Sequence, residues 1–109
     1  MKGTHLGEFE ELVLLTVAVL YNNAYGVAVQ KEIKNRSGRG VTISTVHAAL
    51  KRLEQKGFAQ SQYGDAVPER GGRRKLLFQV TTEGQKALEL SRTLRNSLWD
   101  DIPSIAFTS

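Results

Sequence analysis

The side chains of this chain that are best suited to binding chemistry are cations, and they are concentrated in one short segment. Four of them fall within six positions of a predicted loop: Arg70, Arg73, Arg74 and Lys75. Gly71 and Gly72 lie among them and give the backbone freedom to bend. Such a loop can follow a line of phosphates, although a basic run by itself is more often a solvated tip.

A predicted helix with two distinct faces precedes this loop. Helical periodicity places Val46, Leu50 and Leu53 on one narrow apolar face, which is expected to pack on the core. The other face is polar and begins with small residues, including Ala49, so it could approach the major groove of duplex DNA closely. Gln55 also points outward. The residues of this helix predicted to contact DNA are Ser44, Thr45, His47, Ala48, Lys51 and Arg52.

Taken alone, the polar face fits an ordinary solvated surface helix equally well. Charge distribution helps to decide between the two interpretations. The 109-residue chain has a formal net charge of +4, yet residues 31–75 contain eleven Lys or Arg and only four acids. The cationic middle, next to a helix with a clean polar face, favours double-stranded DNA as the partner.

Tyr25 and Gly26 stand at the start of another predicted helix. A hydroxyl and backbone N–H groups at such a position could contact a phosphate, which makes Tyr25 a candidate DNA-binding residue. A tyrosine partly buried in the core explains the same residue, and the sequence leaves both interpretations open.

Catalytic and metal-binding patterns do not stand out. The chain has no cysteine, and its two histidines, His5 and His47, make a poor metal-binding constellation. No Ser/His/Asp set, paired-carboxylate pocket or phosphate-cradling glycine loop stands out either. The sequence predicts no enzyme activity, no cofactor and no metal, and it assigns His47 a polar contact in the DNA groove.

Composition indicates a folded protein, with 40% hydrophobic and 24% charged residues. The longest nearly apolar run, residues 12–20, is too short to cross a bilayer. The first residues show no apolar signal core, and the absence of cysteine permits a reducing compartment. We expect a cytoplasmic protein that does not bind a membrane.

The order of predicted elements is helix, helix, short strand, helix, strand, loop, strand, helix. Ser44 is the predicted N-cap of the third helix, which ends at residue 56, and Gly57 supplies a left-handed residue after it. The β-prone segment 41–43 precedes that helix, and strands are predicted over residues 58–63 and 75–81. Thr81 or Thr82 caps the last helix, with Gln85 completing a capping box for Thr82.

This order predicts a mainly α (α+β) fold: a winged helix-turn-helix with an extra C-terminal dimerisation helix. The chain is expected to form a single domain over residues 1–109. Within it, the winged helix covers about 6–81, the dimerisation helix 82–99 and a tail 100–109.

The first and last helices predict a homodimer. The first, about residues 8–21, is apolar nearly all round, so one small core cannot cover it and a second subunit is expected to do so. The last carries leucines at helical spacing, which could equally be intradomain packing, but the helix extends past so small a core. The predicted dimer interface consists of Phe9, Leu12, Val13, Thr16, Leu90, Leu94 and Leu98. Two recognition helices related by a two-fold axis would bind a palindromic operator.

Trp99 lies near the end of the last helix, before an apolar tail. A small hydrophobic effector could bind between subunits at Trp99, whereas packing of the tail on its own dimer is the simpler interpretation.

Four motifs in order and at matching spacing carry a family resemblance: residues 6–15 (LGEFEELVLL), 24–27 (AYGV), 50–57 (LKRLEQKG) and 69–75 (ERGGRRK). Together they resemble the PadR-type transcriptional regulators. The resemblance implies a winged-helix homodimer, usually a repressor, whose third helix and wing bind operator DNA and whose C-terminal helix pairs the subunits. His47 stands where the family often has tyrosine, which implies a base preference of its own.

These observations together predict a sequence-specific DNA-binding transcriptional regulator, acting as a homodimeric repressor and relieved by a small-molecule effector if one exists. The alternative is a protein-interaction module that docks on a partner through its apolar helices. Binding that is insensitive to salt and to substitution of the basic loop would favour that alternative.

Overall fold

The structure of the protein is a computed structural model that describes residues 5–66 and 74–107. Four α-helices and one β-hairpin make up this described part. The elements are helix α1 (Glu8–Leu20), a 3₁₀ turn (Tyr21–Asn23), α2 (Gly26–Ser37), α3 (Ile43–Gln55), strand β1 (Ala59–Ala66), β2 (Arg74–Val80), α4 (Thr82–Asp101) and a second 3₁₀ turn (Ser104–Ala106). The predicted mainly α winged helix with an additional C-terminal helix is confirmed.

The two strands form an antiparallel pair that begins with Ala59 opposite Val80 and continues to Tyr63 opposite Leu76. The register then shifts, so that Ala66 lies opposite Arg74. A register shift of this kind bends and twists a hairpin. The strand pairing holds Arg74 and Lys75 at the start of β2, at the end of the hairpin that leads away from the core.

The core lies between α1, α2, α3 and the base of the hairpin. Apolar residues from each element are almost completely buried, and burial of this apolar surface is the main stabilising contribution to the fold. The largest side chains that are fully buried are Val13, Leu14, Val17, Val29, Ile33, Val46, Leu50 and Leu53. Val46, Leu50 and Leu53 therefore face the core, as their spacing predicts.

The segment before α3 differs from its prediction. Residues 41 and 42 are not a strand, and Ile43 is already helical. Thr42, not Ser44, is the N-cap: its side chain accepts a hydrogen bond from the Thr45 backbone N–H at 3.1 Å. In the described part of the chain no strand pairs with residue 41, and its carbonyl accepts a hydrogen bond from the Gln30 side chain at 2.7 Å.

The junction between the hairpin and α4 is tightly built. The Thr81 side chain caps α4 by accepting from the Gly84 N–H at 3.0 Å, and it donates to the Gly57 carbonyl at 2.6 Å. Gly57 has a φ of +82°, the left-handed conformation predicted for it. Because Thr81 is the cap, the predicted capping box of Thr82 and Gln85 does not form, and the Gln85 N–H bonds to the Thr81 carbonyl within the helix.

Helix α4 is joined to α1 by hydrogen bonds of Glu11. The Glu11 carboxylate accepts hydrogen bonds from the Ser91 hydroxyl at 2.6 Å and from Arg95 at 3.1 Å. From residue 92 to residue 101 every residue of α4 is exposed. The helix therefore projects from the core, and the molecule measures 59 × 35 × 21 Å along its principal axes. Among the described residues, no helix has the length and apolar character needed to span a membrane.

Candidate nucleic-acid interface

Helix α3 presents a polar face to the outside of the molecule. The side chains predicted to point outward all lie on that face and are exposed: Ser44, Thr45, His47, Ala48, Lys51, Arg52 and Gln55. Ala49 is fully buried, so its predicted role in close approach to a groove is wrong. A rotation of about 100° per residue places Ala49 beside Val46 and Leu53 on the core side.

His47 lies against the start of α2. A methyl group built on Gly26 would come within 2.2 Å of His47 Nε2 and 2.7 Å of its Cδ2. Only a residue without a side chain at position 26 therefore allows the imidazole to lie where it does. Tyr25, the N-cap of α2, is half-buried, and the Lys75 Nζ lies 4.0 Å from the centroid of its ring. A cation at this distance from an aromatic face is attracted to it.

These groups line an open cleft of about 480 Å³ between the start of α2, the polar face of α3 and β2. It is lined by Tyr25, Gly26, Val27, His47, Lys51, Glu54, Arg74, Lys75, Leu76 and Phe78. Five of the residues predicted to bind DNA thus converge here. The hairpin lies beside α3 and does not point to the opposite side of the molecule.

Arg74 contacts its own hairpin. Its Nε donates to the Gly64 carbonyl at 2.8 Å, its Nη2 donates to the Tyr63 carbonyl at 3.4 Å, and the guanidinium lies 5.7 Å from the Tyr63 ring centroid. These contacts brace the hairpin where its register shifts. Arg70 and Arg73 lie outside the described residues.

An acidic residue also lines the cleft and was not predicted from the sequence. Glu54 lies two turns after His47 on α3, and its carboxylate accepts a hydrogen bond from the Ser61 hydroxyl of β1 at 2.7 Å. A carboxylate repels phosphates but can accept a hydrogen bond from a cytosine amino group. The sequence could have indicated this position of Glu54, because residues 47, 51 and 54 fall on one stripe of a helix.

The opposite flank of α3 is bound to α1. The Glu10 carboxylate accepts from Arg52 Nε at 3.0 Å and from Lys56 Nζ at 2.5 Å, and Lys56 also donates to the His5 carbonyl at 2.6 Å. Burial by itself would raise the pKa of Glu10. The hydrogen bonds and charges of Lys56 and Arg52 outweigh burial, and the pKa lies below its ordinary value. Arg52 is thus not brought into the cleft with His47 and Lys51.

Within the part of the chain that the structure describes, no group of three or more His, Cys, Asp or Glu side chains is arranged to hold a metal ion. His47 is instead packed on α2, as described above.

The predicted dimer interface requires correction on α1. Val13 and Thr16 are buried inside the protomer, with 0% and 6% exposure, and cannot contact a second subunit. Phe9 and Leu12 are half-buried and pack against the core. The large apolar residues that α1 leaves exposed are Leu15, at 46%, and Val19, at 56%. An apolar helix has no polar face to indicate its orientation, which only tertiary packing determines.

On α4, Leu90, Leu94 and Leu98 are exposed by 60% or more. They line one side of the helix together with Leu6 and Ala87. The described part of the protomer does not cover this stripe.

Trp99 is also exposed, and its ring stacks on that of Phe107, with 6.4 Å between centroids. Residues 104–107 therefore fold back on α4. Trp99 also lines an open groove of about 630 Å³ together with Leu15 and Leu88. This groove is separate from the stripe formed by Leu90, Leu94 and Leu98.

Comparison with known proteins agrees with this geometry. The transcriptional regulator PadR-like family matches residues 14–90, which is more than half of the chain. A PadR family transcription regulator from hypervirulent Clostridium difficile is 27% identical, with coverage of 84% of this chain and 92% of that chain and a TM-score of 0.67.

A PadR family transcriptional regulator from Eggerthella lenta is 22% identical, with coverage of 93% and 83% and a TM-score of 0.70, and it shows likeness of fold. No curated protein matches the sequence. Because the family match spans most of the chain, the protein belongs to the transcriptional regulator PadR-like family and is a DNA-binding transcriptional regulator, not an enzyme.

Proposed function

We propose that this protein is a sequence-specific transcriptional repressor that acts in the cytoplasm as a homodimer on a palindromic operator. One observation supports DNA binding most strongly: His47 and Lys51 of α3 line the same cleft as Lys75 of β2. A recognition helix and the start of a wing on the same side of one domain can contact a major groove and its flanking phosphates together. Repression follows the family resemblance.

The proposed contacts divide into two kinds. Lys51, Lys75 and Arg74 supply positive charge, which binds phosphates without regard to sequence. His47 and the small residues at the start of α3 are proposed to approach base edges. The full proposed DNA-binding set is Tyr25, Ser44, Thr45, His47, Ala48, Lys51, Arg52, Arg70, Arg73, Arg74 and Lys75.

The exposed leucines of α4 support the proposed homodimer. Leu90, Leu94 and Leu98 form an apolar stripe that water would otherwise hydrate, and a second copy of the helix would cover it. The half-buried Phe9 and Leu12 complete the interface as predicted, with Leu15 and Val19 added on α1. A two-fold axis at these helices would place two copies of α3 on one operator.

A small hydrophobic effector would bind beside Trp99. The groove there combines an exposed aromatic ring with Leu15 and Leu88, and both α1 and α4 contribute to its walls. A ligand lodged between these helices would contact both elements proposed to form the dimer, and could thus change the spacing of the recognition helices.

Selection of bound fragments from genomic DNA tests this function directly. We expect a recurrent motif with two-fold symmetry, bound more tightly than a duplex of the same composition in scrambled order. Light scattering on the eluted protein should give twice the protomer mass of 12.1 kDa. Equal affinity for motif and scrambled duplex would contradict sequence-specific binding, and a stable monomer at micromolar concentration would contradict the dimer.

A further inference from the structure

Two adjacent carboxylates of α1 face different helices. Glu11 accepts from Ser91 and Arg95 of α4, as described above, whereas Glu10 accepts from two cations at the end of α3. The Glu10 side chain is 11% exposed, and the described structure places both of its carboxylate oxygens in hydrogen bonds with cations. Glu10 is thus a buried anion at the edge of the proposed recognition helix.

The two cations that Glu10 binds are not equivalent. Lys56 is 20% exposed and has a second acceptor in the His5 carbonyl, so it is held inside the protein. Arg52 is 50% exposed and is joined to Glu10 through Nε alone among its described hydrogen bonds. A guanidinium has five N–H donors. Arg52 therefore lies at the surface with capacity for a second anionic partner.

The position of Arg52 on α3 would allow that partner to be a phosphate. Arg52 follows Ala48 by four residues, on the flank of the polar face opposite to His47 and Lys51. If the centre of this polar face lies in a groove of duplex DNA, the phosphates of the DNA backbone lie along both flanks of the helix. On one flank, Lys51 and Lys75 face the open cleft. On the other flank, the charge of Arg52 is opposed by Glu10.

We propose that Glu10 is a positioning residue that competes with DNA phosphate for Arg52, and that it thereby weakens electrostatic binding to every sequence. This inference rests on the proposed function. Glu10 does not itself contact DNA. It retains Arg52 against α1, so that the phosphate contact of Arg52 is weaker than that of Lys51. Affinity then depends more on base contacts, which are not affected by Glu10.

Substitution of Glu10 by glutamine tests the proposal, because the variant keeps the shape of the side chain and removes its charge. Arg52 then neutralises its phosphate fully and not only in part, so the slope of log K against log salt should become steeper by about 0.45 to about 0.9. Between ~50 and ~200 mM salt, the loss of affinity should increase by about 2- to 3.5-fold relative to the wild type. The increase should be equal for operator and scrambled duplex.

Two controls separate this effect from a structural one. Glu11→Gln removes the neighbouring carboxylate, which faces α4, and should leave the slope unchanged. Addition of Arg52→Gln to the Glu10→Gln variant should abolish the steeper slope. Misfolding lowers the concentration of competent protein and cannot tighten binding at low salt. An unchanged or shallower slope for Glu10→Gln would overturn the proposal.

If Glu10→Gln does not fold, single variants of the cations give the same answer. Arg52→Gln should flatten the slope by less than half as much as Lys51→Gln, and equal flattening would overturn the proposal. Failure of the proposed function has a different signature. In that case, the wild type itself shows no steep dependence on salt.

Discussion

The imidazole of His47 lies over the α-carbon of Gly26, so that α3 and the start of α2 touch without an intervening side chain. His47 is thereby oriented by an element outside its own helix. Side chains that read bases must be held in a defined geometry, and packing against a neighbouring element achieves this.

Gly26→Ala should therefore change DNA recognition more than stability. The added methyl group would lie 2.2 Å from His47 Nε2, and the ring must rotate away. We expect the ratio of operator to scrambled-duplex affinity to fall about fivefold, the lower end of the discrimination provided by one good base contact. In a His47→Ala background, the same change should have no further effect. Gly40→Ala, where nothing lies within 4 Å, is the matched control.

Gly84→Ala should destabilise the fold. A methyl group there would lie 2.1 Å from the Phe58 carbonyl oxygen, which is backbone and cannot move aside alone. We expect urea unfolding to show a loss of about 2 kcal/mol, as for other overpacked sites. Alanine normally favours a helix over glycine by about 1 kcal/mol. A more stable variant would therefore show that α4 does not approach Phe58 this closely.

Tyr21→Gly should stabilise the protein. Tyr21 has a φ of +48° and a ψ of −113°, a sparsely populated conformation that costs about 1–3 kcal/mol. Its side chain is 69% exposed, so little packing is lost on removal. We expect a gain of about 1 kcal/mol in thermal or urea unfolding. The exposed neighbour Asn22 has no positive φ, and Asn22→Gly should be neutral or destabilising.

Glu10 should contribute stability that depends on pH. Its pKa in the folded protein lies below the ordinary 4.5, so its contribution is present above pH ~4.5 and is lost as pH falls through the folded-state pKa. Glu10→Gln should cost about 2 kcal/mol at neutral pH, as expected for hydrogen bonds to a charged group. The difference from the wild type should shrink in acid unfolding experiments below pH 4.5. A difference independent of pH would exclude the ion pairs as its cause.

Much of the architecture could be predicted from the sequence because local patterns dictate it. The spacing of Val46, Leu50 and Leu53 determines which face of α3 is buried, and Gly57 marks its end. Thr42 and Ser44 show where local signals become ambiguous. Both residues can cap a helix, and Thr42, the observed cap, follows a residue whose carbonyl is bound by Gln30 from another element.

Features that depend on distant residues could not be predicted in the same way. Glu10 lies 42 residues from Arg52, and no spacing rule connects them. The assignment of Val13 and Thr16 to the interface was wrong because an apolar helix gives no indication of its rotation. Helical spacing predicts that His47 and Lys51 point outward from α3. Their position in one cleft with Lys75, however, results from the packing of β2 beside α2 and α3.

The slope of log K against log salt, measured with duplex DNA for the wild type, Lys51→Gln and Lys75→Gln, tests the central claim most directly. Because these lysines line one cleft, each substitution should flatten the slope by about 0.9 and weaken binding to all sequences alike. Binding that is insensitive to salt, or variants that match the wild type, would contradict the assignment of this cleft to DNA.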